Sequence, residues 1–399
     1  MTSKREESGT SALYAKAQQG RLLGLYCHVP FCRTTCDFCA FYQERPQGDA
    51  INRYLGGVEG ELALLGLERS SDLMFWGGGT PGLLGIRDLE RLGKAVLHFA
   101  GTPQEWTVEM APSTVTDRKM KALRALGVTR ISLGVQSFDS RQLRALGRRD
   151  GPRQIYQAYE RIRRAGFDNI NIDLMFGTPC QELEDWRKDL ASAIDLEPTH
   201  ISTYCLTFEE DTALWLKLAQ GKVQRNADQE AAFYEVTWEV LETAGFQQYE
   251  VSNFAQSGWE CLHNINTWRM GQWIGIGPAA ASQFQGKRFE NPASLESWLQ
   301  GIGEGTLRRV EVHGLSEALL AADALIFGLR MNEGVDMEMF QHWNERLDDQ
   351  AALPELFNNW GEQGFAKIEG SRVRLTRKGR LVADALVLDI LEKFPSRTE

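Results

Sequence analysis

Short apolar runs alternate with amphipathic stretches over the first half of the chain, and this alternation restricts the possible folds more than any other feature. Each run is rich in β-branched or aromatic residues and is closed by glycine, proline or a polar residue, which is typical of a buried strand. Strands that alternate with helices form parallel sheets. The six runs begin at Leu23, Leu73, Trp106, Arg130, Asn169 and His200.

Amphipathic stretches with helical spacing of their apolar residues follow most of these runs. Helices are predicted at 87–100, 117–126, 152–165, 184–196 and 226–244. Six strand–helix units suit a barrel or an incomplete barrel better than a short open sheet. In parallel barrels the binding residues gather at the C-terminal ends of the strands, so the pattern predicts a single site there. The chemically notable residues at or just beyond the ends of the runs are Cys32, the segment 77–81, Glu109, Gln136, Asp173 and Tyr204.

The second half of the chain changes character twice. A stretch rich in tryptophan and glycine at 249–284 is predicted to be loop-rich. After Leu315 the pattern predicts helices and one small hairpin, which together form a winged-helix-like module. DNA binding is the tempting function for such a module, but a packing role is favoured because no face rich in lysine and arginine is present. The helices are predicted at 315–331, 337–346, 353–363 and 378–394, and the hairpin turns at 369–371.

The overall charge and hydropathy exclude several classes of protein. The 399 residues carry a formal net charge of -10, which argues against extended nucleic-acid binding because such binding needs a basic face. No apolar run approaches the length of a membrane span. Residues 1–20 are polar, lack the apolar core of a signal peptide and are predicted to be a flexible lead-in. We therefore expect a cytoplasmic protein.

Three of the seven cysteines are packed into one short loop. Cys32, Cys36 and Cys39 form a C-x3-C-x2-C pattern, and three thiolates so placed can ligate three irons of a cubane cluster. The fourth iron is then open to a small chelating molecule. A zinc site with His28 as fourth ligand is the alternative, although structural zinc usually takes two paired cysteine arms. Three further cysteines are scattered and are predicted to be core thiols: Cys180, Cys205 and Cys261.

The cysteine loop, YCHVPFCRTTCDFCAF, resembles that of the radical S-adenosylmethionine (SAM) superfamily, and more closely that of its coproporphyrinogen dehydrogenase and HemW branch. Further matching segments follow in order, among them FWGGGTPGLL, VEMAPSTV, RISLGVQSFDSRQLRALGR and CLHNINTW. The resemblance implies an α/β fold with a partial (β/α)6 barrel, a [4Fe–4S] cluster on the three clustered cysteines, and SAM at the open iron. The implied parts are a lead-in at 1–20, a barrel at 21–255, a loop-rich heme or substrate segment at 256–314, and a small C-terminal module at 315–399.

The resemblance also supplies the residues expected around SAM. The glycine segment 77–81 would bind the methionine end, although a glycine triplet alone also fits a plain tight turn. Arg148 has a second interpretation as a helix-end charge, whereas an acid such as Asp173 inside an apolar run is costly to bury without a partner. The complete set is Tyr26, Phe38, Gly78, Gly79, Thr80, Glu109, Gln136, Arg148 and Asp173.

Two functions from different classes remain open within this branch. One is an oxygen-independent coproporphyrinogen III oxidase, and the other is a heme chaperone that binds heme and delivers it to acceptor proteins. Dehydrogenases of the branch usually carry one more cysteine two positions after the third, where this chain has Phe41. The chaperone is therefore favoured. Its expected partners are heme or a porphyrin, heme-acceptor proteins and an electron donor.

A segment in the second half of the chain supports the heme interpretation. His263, Asn264 and Trp268 resemble the HemW heme-binding motif H-N-x-x-Y-W, and imidazole is a suitable ligand for iron. The chain departs from the motif at Thr267, where the tyrosine would be, and at Ala281, where relatives tend to have histidine. The alternative interpretation of His263 is a loop histidine that hydrogen-bonds to its surroundings.

Overall fold

The frame of the molecule is one twelve-stranded sheet in a computed structural model that describes residues 22–66, 70–224, 226–340 and 352–393. The six predicted strands lie side by side in chain order and run parallel, which confirms the partial (β/α)6 barrel. The predicted lead-in at 1–20 lies outside the described residues. The strands are β1 (Leu23–Val29), β2 (Leu73–Gly78), β3 (Glu105–Met110), β4 (Arg130–Gln136), β5 (Asn169–Phe176) and β6 (His200–Cys205).

Helices connect these strands and cover their outer face. They are α1 (Ala50–Leu65), α2 (Ile86–Ala100), α3 (Asp117–Leu126), α4 (Ser140–Ala145), α5 (Pro152–Arg164) and α6 (Leu183–Ile194), with short 3-10 helices at Pro81–Leu83 and Pro112–Thr114. Helical spacing in the sequence predicts α2, α3, α5 and α6 closely. It misses α1, because glycines and charged residues interrupt the apolar spacing in AINRYLGGVEGELALL, and it misses the short α4.

The sheet continues on both sides of the six parallel strands. The added elements are α7 (Ala213–Ala219), α8 (Ala227–Thr243), β7 (Gln247–Glu250), β8 (Asn253–Ala255), α9 (Leu262–Trp268), β9 (Gln272–Ile276), β10 (Ala281–Phe284), β11 (Lys287–Glu290), α10 (Leu295–Gly303) and β12 (Val310–Gly314). β9 pairs parallel with β1, and β8 pairs antiparallel with β6. The segment predicted to be loop-rich therefore contains strands and helices. The four strands within residues 256–314 have four or five residues, too few for an alternating pattern to stand out.

The main apolar core lies between the strands and their covering helices, where Trp76, Ile131 and Leu133 are buried. The alternate residues of the same strands point into the barrel, and there they are mostly polar, as with Glu109 and Asn171. Apolar side chains usually fill the interior of a parallel barrel, so a polar interior indicates a ligand cavity. We call this interior the lumen, its end at the C-terminal ends of β1–β6 the mouth, and the opposite end the floor.

The C-terminal part contains helices and a three-stranded sheet in the order β13-β15-β14. Its elements are α11 (Glu317–Arg330), β13 (Val335–Asp336), a 3-10 helix (Met337–Phe340), α12 (Ala352–Glu362), β14 (Ala366–Glu369), β15 (Arg372–Leu375), α13 (Arg377–Leu381) and α14 (Ala383–Lys393). The predicted hairpin is present. Of the helix predicted at 337–346, a 3-10 turn covers the first four residues and the rest lies outside the described residues. The helix predicted at 378–394 is two helices that meet at Val382.

None of the helices in these described ranges is long and apolar enough to cross a membrane. A second apolar core, formed by α11, α12, α14 and the small sheet, stabilises the C-terminal part, and Leu325, Leu353 and Trp360 are almost completely buried in it. The C-terminal part therefore has its own interior. It contacts the barrel where Arg330 and Phe327 pack against Trp268.

Candidate cluster and ligand site

Backbone hydrogen bonds fix the loop that follows β1. The N–H of Cys32 donates to the carbonyl of Glu44, and the N–H of Asp37 donates to the carbonyl of Leu146, each at 3.0 Å. Gly147 permits the second contact, because a Cβ at its position would lie 2.5 Å from Asp37 Oδ1. The backbone of this loop is thus held against the end of α4. The loop carries all three predicted cluster ligands, Cys32, Cys36 and Cys39.

The three thiols are half-buried, and Cys36 and Cys32 lie near enough to Cys39 to act on its charge. Burial raises the pKa of Cys39 to about 11, and the nearby thiols of Cys36 and Cys32 add to the rise. Polar groups approach the sulfur atoms: Thr80 Oγ1 lies 3.4 Å from Cys32 Sγ, and Arg148 Nη1 lies 3.8 Å from Cys36 Sγ. Such donors stabilise the thiolates of a bound cluster. The residues present therefore fit a cubane with three protein ligands.

The zinc alternative requires His28 as a fourth ligand, and His28 is engaged elsewhere. Its Nε2 lies 2.9 Å from the carbonyl oxygen of Tyr42, and its Nδ1 lies 3.3 Å from the hydroxyl of Tyr26. His28 is a packing residue beside the cluster loop in this structure.

The cysteines outside the loop occupy different environments. Cys27 is buried in β1, where its Sγ lies 3.4 Å from the hydroxyl of Tyr54. Cys261 is buried as predicted, and Cys205 is half-buried. The prediction of a core thiol is wrong for Cys180, which is exposed in the turn after β5, where the backbone takes a φ of +60°.

The glycine segment lies at the mouth, between the cluster loop and β3. Gly78 has a φ of +96°, and a Cβ at this position would lie 2.6 Å from the ring of His28. A Cβ on Gly77 would lie 2.9 Å from Glu109 Oε2, and one on Gly79 would meet backbone oxygens of the chain after β1 at 2.8 Å. The glycines therefore allow the segment to pack against the chain itself. This packing sets the backbone beside the three cysteines.

Two acids face the lumen on β3 and β5, the strands on either side of β4. Burial raises the pKa of Glu109 to about 8, the charge of Asp173 adds to the rise, and Arg130 opposes it. Burial also raises the pKa of Asp173, while hydrogen bonds from Ser132 (3.0 Å) and Asn171 (2.7 Å) favour its charged form. The predicted cost of burying Asp173 is therefore met by two donors, and both acids lie where SAM is expected.

Gln136 and Arg148 lie at the end of β4. Gln136 has a φ of +70°, and the pairing of β4 with β5 shifts register between Gly134 and Gln136. Arg148 donates from Nη2 to the carbonyl of Gly134 and places Nη1 beside Cys36. The guanidinium thus connects β4 to the cluster loop, which agrees with a site residue better than with a solvated charge at a helix end.

Tyr26 lies on β1, before the cluster loop, and Phe38 lies within the loop. Tyr26 points into the lumen, where its ring stacks on that of Phe75 with centroids 6.2 Å apart. Burial raises the pKa of its hydroxyl well above the usual value, and the charge of Glu109 contributes. Phe38 packs against a small apolar cluster that includes Leu146 and Leu214, so it anchors the loop to the protein.

The lumen is open to solvent at the mouth. Glu109 and Asp173 are surrounded by protein, yet neither side chain is closed off from solvent, and Tyr204 at the end of β6 is 39% exposed. A close-packed interior would leave no such access. The structure therefore brings the predicted SAM residues Tyr26, Gly78, Glu109, Gln136, Arg148 and Asp173 around the mouth of a cavity.

The predicted heme ligand His263 lies at the floor of the same lumen. It belongs to α9, and its backbone N–H donates to Glu105 Oε1 (3.2 Å). The centroid of its ring lies 5.0 Å from that of Phe75. Burial and, to a smaller extent, the charge of Arg130 together lower the pKa of His263 to about 4. Its Nδ1 is buried without a hydrogen-bond partner among the described residues. The imidazole is therefore neutral at pH 7.

The structure places Trp268, another residue of the predicted heme motif, apart from the ring of His263. Trp268, at the end of α9, faces the C-terminal part, where Arg330 lies 4.6 Å above its ring and the ring of Phe327 is 5.6 Å away. Asn264 follows His263 on the same helix and is half-buried. The structure therefore separates the imidazole, which faces the lumen, from the indole, which joins the barrel to α11.

Several polar residues of the floor were missed by reasoning from sequence. His200 places Nδ1 2.6 Å from Asn171 Oδ1 and Nε2 2.9 Å from the hydroxyl of Tyr249. Arg130, at the start of β4, is only 2% exposed. The available signal was the alternation of polar residues within apolar runs, as in NINIDLMF and HISTYC, which is unexpected for strands covered on both faces.

Known proteins similar to this chain point to one family. Residues 26–192 match the radical SAM superfamily, and residues 315–382 match the HemN C-terminal domain. The heme chaperone HemW of Bacillus subtilis is 31% identical over 90% of this chain and 96% of its own. The mitochondrial radical S-adenosyl methionine domain-containing protein 1 of Bos taurus is 32% identical over 98% of this chain and 92% of its own.

A solved structure agrees with this assignment at the level of the fold. Coproporphyrinogen III oxidase HemN from Escherichia coli superposes with a TM-score of 0.79, covering 97% of this chain and 93% of that one, at 22% identity. The similarity extends through the barrel and the C-terminal part alike. This chain belongs to the radical SAM superfamily and, within it, to the family that includes HemW.

Proposed function

We propose that this chain holds a [4Fe–4S] cluster on Cys32, Cys36 and Cys39, binds SAM at the mouth, and acts as a heme chaperone that binds heme and delivers it to acceptor proteins. Similarity to proteins named HemW over nearly the whole chain supports this proposal. When bound, the cluster and SAM together supply one-electron reductive cleavage of a carbon–sulfur bond.

The residues of the mouth have separate roles in this proposal. Glu109, beside the glycine segment, would accept a hydrogen bond from the ammonium group of SAM, whose positive charge would favour the ionised carboxylate, and Asp173 supports the same site. Arg148 holds the cluster loop against β4 through its contacts with Gly134 and Cys36. The full set proposed to surround SAM is Tyr26, Phe38, Gly78, Gly79, Thr80, Glu109, Gln136, Arg148 and Asp173.

The observation that carries the heme assignment is the state of His263. A neutral, half-buried imidazole at the floor of the lumen is the group proposed to ligate the iron. Trp268 and Asn264 act indirectly in this proposal, because Trp268 fixes α9 against Arg330 and thereby orients His263. Thr267, which donates to the carbonyl of His263 at 3.0 Å, stabilises the same helix.

Two kinds of protein partner belong to this function, an electron donor for the cluster and an acceptor for heme. Phe41, 69% exposed just after the cluster loop, supports contact with a protein at the mouth. We propose the cytoplasm as the compartment, because the seven cysteines are all free and a reducing environment keeps them so.

Heme titration of the purified protein tests the assignment. Replacing His263 by Ala should weaken heme binding at least about tenfold and change the Soret band, because the axial nitrogen is lost. His313→Ala is the matched control, since His313 is exposed on β12.

The same preparation is incubated anaerobically with coproporphyrinogen III, SAM and a reductant. Sustained decarboxylation would replace the chaperone by the oxidase, and equal heme affinity of wild type and His263→Ala would remove the assigned ligand.

A further inference from the structure

Arg130 is a buried charge on the wall of the lumen. It is the first residue of β4 and is 2% exposed, and its side chain alternates with the core-facing Ile131. It lies near enough to His263 for its charge to lower the pKa of that imidazole. Arg130 and His263 therefore share the floor of the cavity.

This guanidinium forms no ion pair with an acid in the described part of the chain. Its Nε has no hydrogen-bond partner there. Burial lowers the pKa of Arg130, but the charges of Cys261, Glu105, Tyr249 and Asp173 outweigh burial and raise it. Glu105 Oε1 accepts from the N–H of His263 (3.2 Å), and Asp173 accepts from Ser132 (3.0 Å).

A buried arginine without a bonded carboxylate is energetically unfavourable and uncommon. Removing a guanidinium from water costs several kcal/mol unless an anion and hydrogen-bond acceptors replace the water. The planar fork of N–H groups suits the two oxygens of a carboxylate. Arg130 borders the lumen at 2% exposure, and a ligand that enters the lumen would have to bring an anionic group to it.

We propose that Arg130 anchors a carboxylate of the ligand bound in the lumen. The inference rests on the proposed heme function, in which this carboxylate is a propionate of heme. His263 then supplies the axial nitrogen, and Arg130 fixes the orientation of the ring through paired N–H···O bonds to the propionate. The floor thus recognises the metal and the acidic edge of one ligand with two neighbouring side chains.

The test compares heme with heme dimethyl ester, whose propionates carry no charge, on wild-type protein and on Arg130→Gln. Wild type should bind the ester at least about tenfold more weakly than heme. Arg130→Gln should weaken heme binding by a similar factor and should leave the affinity for the ester nearly unchanged. Arg124→Gln, an exposed arginine on α3, is the matched control and should alter neither affinity.

The outcomes separate this inference from the proposed function. If wild type binds heme and the ester equally well, Arg130 does not anchor a propionate, while the chaperone assignment stands. If Arg130→Gln lowers both affinities by the same factor, the arginine has only a structural role and the inference fails. If wild type binds neither ligand, the chaperone assignment and the inference fail together. The comparison of ligands on wild type remains decisive even when Arg130→Gln does not fold.

Discussion

The mouth and the floor of the lumen are built from different parts of the chain and hold different chemical groups. The mouth consists of loops that follow strands, and it carries thiols, glycines and acids. The floor consists of the first residues of the strands and of α9, and it carries imidazoles and a guanidinium. Burial raises the pKa of Glu109 near the mouth to about 8 and lowers that of His263 at the floor to about 4. Burial thus favours the neutral form of Glu109 near the mouth and the neutral form of His263 at the floor.

The comparison predicts that the two ends bind their ligands independently. Cys36→Ser should abolish iron and sulfide binding after anaerobic reconstitution, because a cubane with two protein ligands is not retained. The same variant should bind heme as wild type does. Iron and sulfide analysis, with absorbance spectra, measures the first effect, and heme titration measures the second.

Cys180→Ser is the control for this experiment, since Cys180 is an exposed thiol outside the loop. It should retain the full iron content. Loss of heme binding in Cys36→Ser would show that the mouth and the floor form one site and do not bind their ligands independently.

Gly78 should be far less tolerant of a methyl group than a glycine of the same conformation elsewhere. Gly78→Ala adds a Cβ 2.6 Å from the ring of His28, whereas Gly127, with a φ of +98°, has nothing within 4 Å. We expect Gly78→Ala to lower the free energy of unfolding by about 3 kcal/mol and Gly127→Ala by about 1 kcal/mol. Denaturant unfolding measures both. Equal losses would mean that backbone strain alone, and not packing at the mouth, explains the glycine.

Glu109 near the mouth and His263 at the floor should make the stability of the protein change with pH in opposite directions. The pKa of Glu109 is about 8 in the folded protein against 4.5 ordinarily, so between these values the folded state binds more protons and stability falls as pH rises. The pKa of His263 is about 4 against 6.5, so stability is lost as pH falls through that range. Glu109→Gln should remove the first loss, and His263→Gln the second.

Unfolding of the three proteins between pH 4 and pH 9 checks this pair of expectations. The stability of Glu109→Gln relative to wild type should increase up to about pH 8 and then stay constant. That of His263→Gln relative to wild type should increase only below about pH 6.5. A pH-independent difference for either variant would contradict the burial argument at that end of the lumen.

The smallest effect is expected for an ion pair at the rim of the mouth. Lys217 Nζ lies 2.7 Å from Asp37 Oδ2, and both side chains are partly exposed. Exposed pairs of this kind contribute less than about 1 kcal/mol. Lys217→Met should therefore change the unfolding midpoint only slightly and should leave the iron content unchanged. A large loss of iron would mean that this pair, and not the backbone bonds of Asp37, positions the cluster loop.

The sequence predicted the mouth better than the floor for a physical reason. Residues of the mouth belong to contiguous motifs, because a loop after one strand holds Cys32, Cys36 and Cys39 together. The floor gathers single residues that are distant in the chain, such as Arg130 and Tyr249, and only the pairing of strands makes them neighbours. The strands beyond residue 255 were missed because each is short and takes its stability from the sheet that it joins.

The packing of Trp268 between barrel and C-terminal part has a consequence for unfolding. Arg330 and Phe327 hold its indole ring from α11, while other residues of α9 line the lumen floor. The backbone N–H of Asn332 donates to the carbonyl of Tyr249 at 3.0 Å, which adds a second connection. Unfolding of either the barrel or the C-terminal part therefore removes contacts from the other. Calorimetry should record one cooperative transition instead of two.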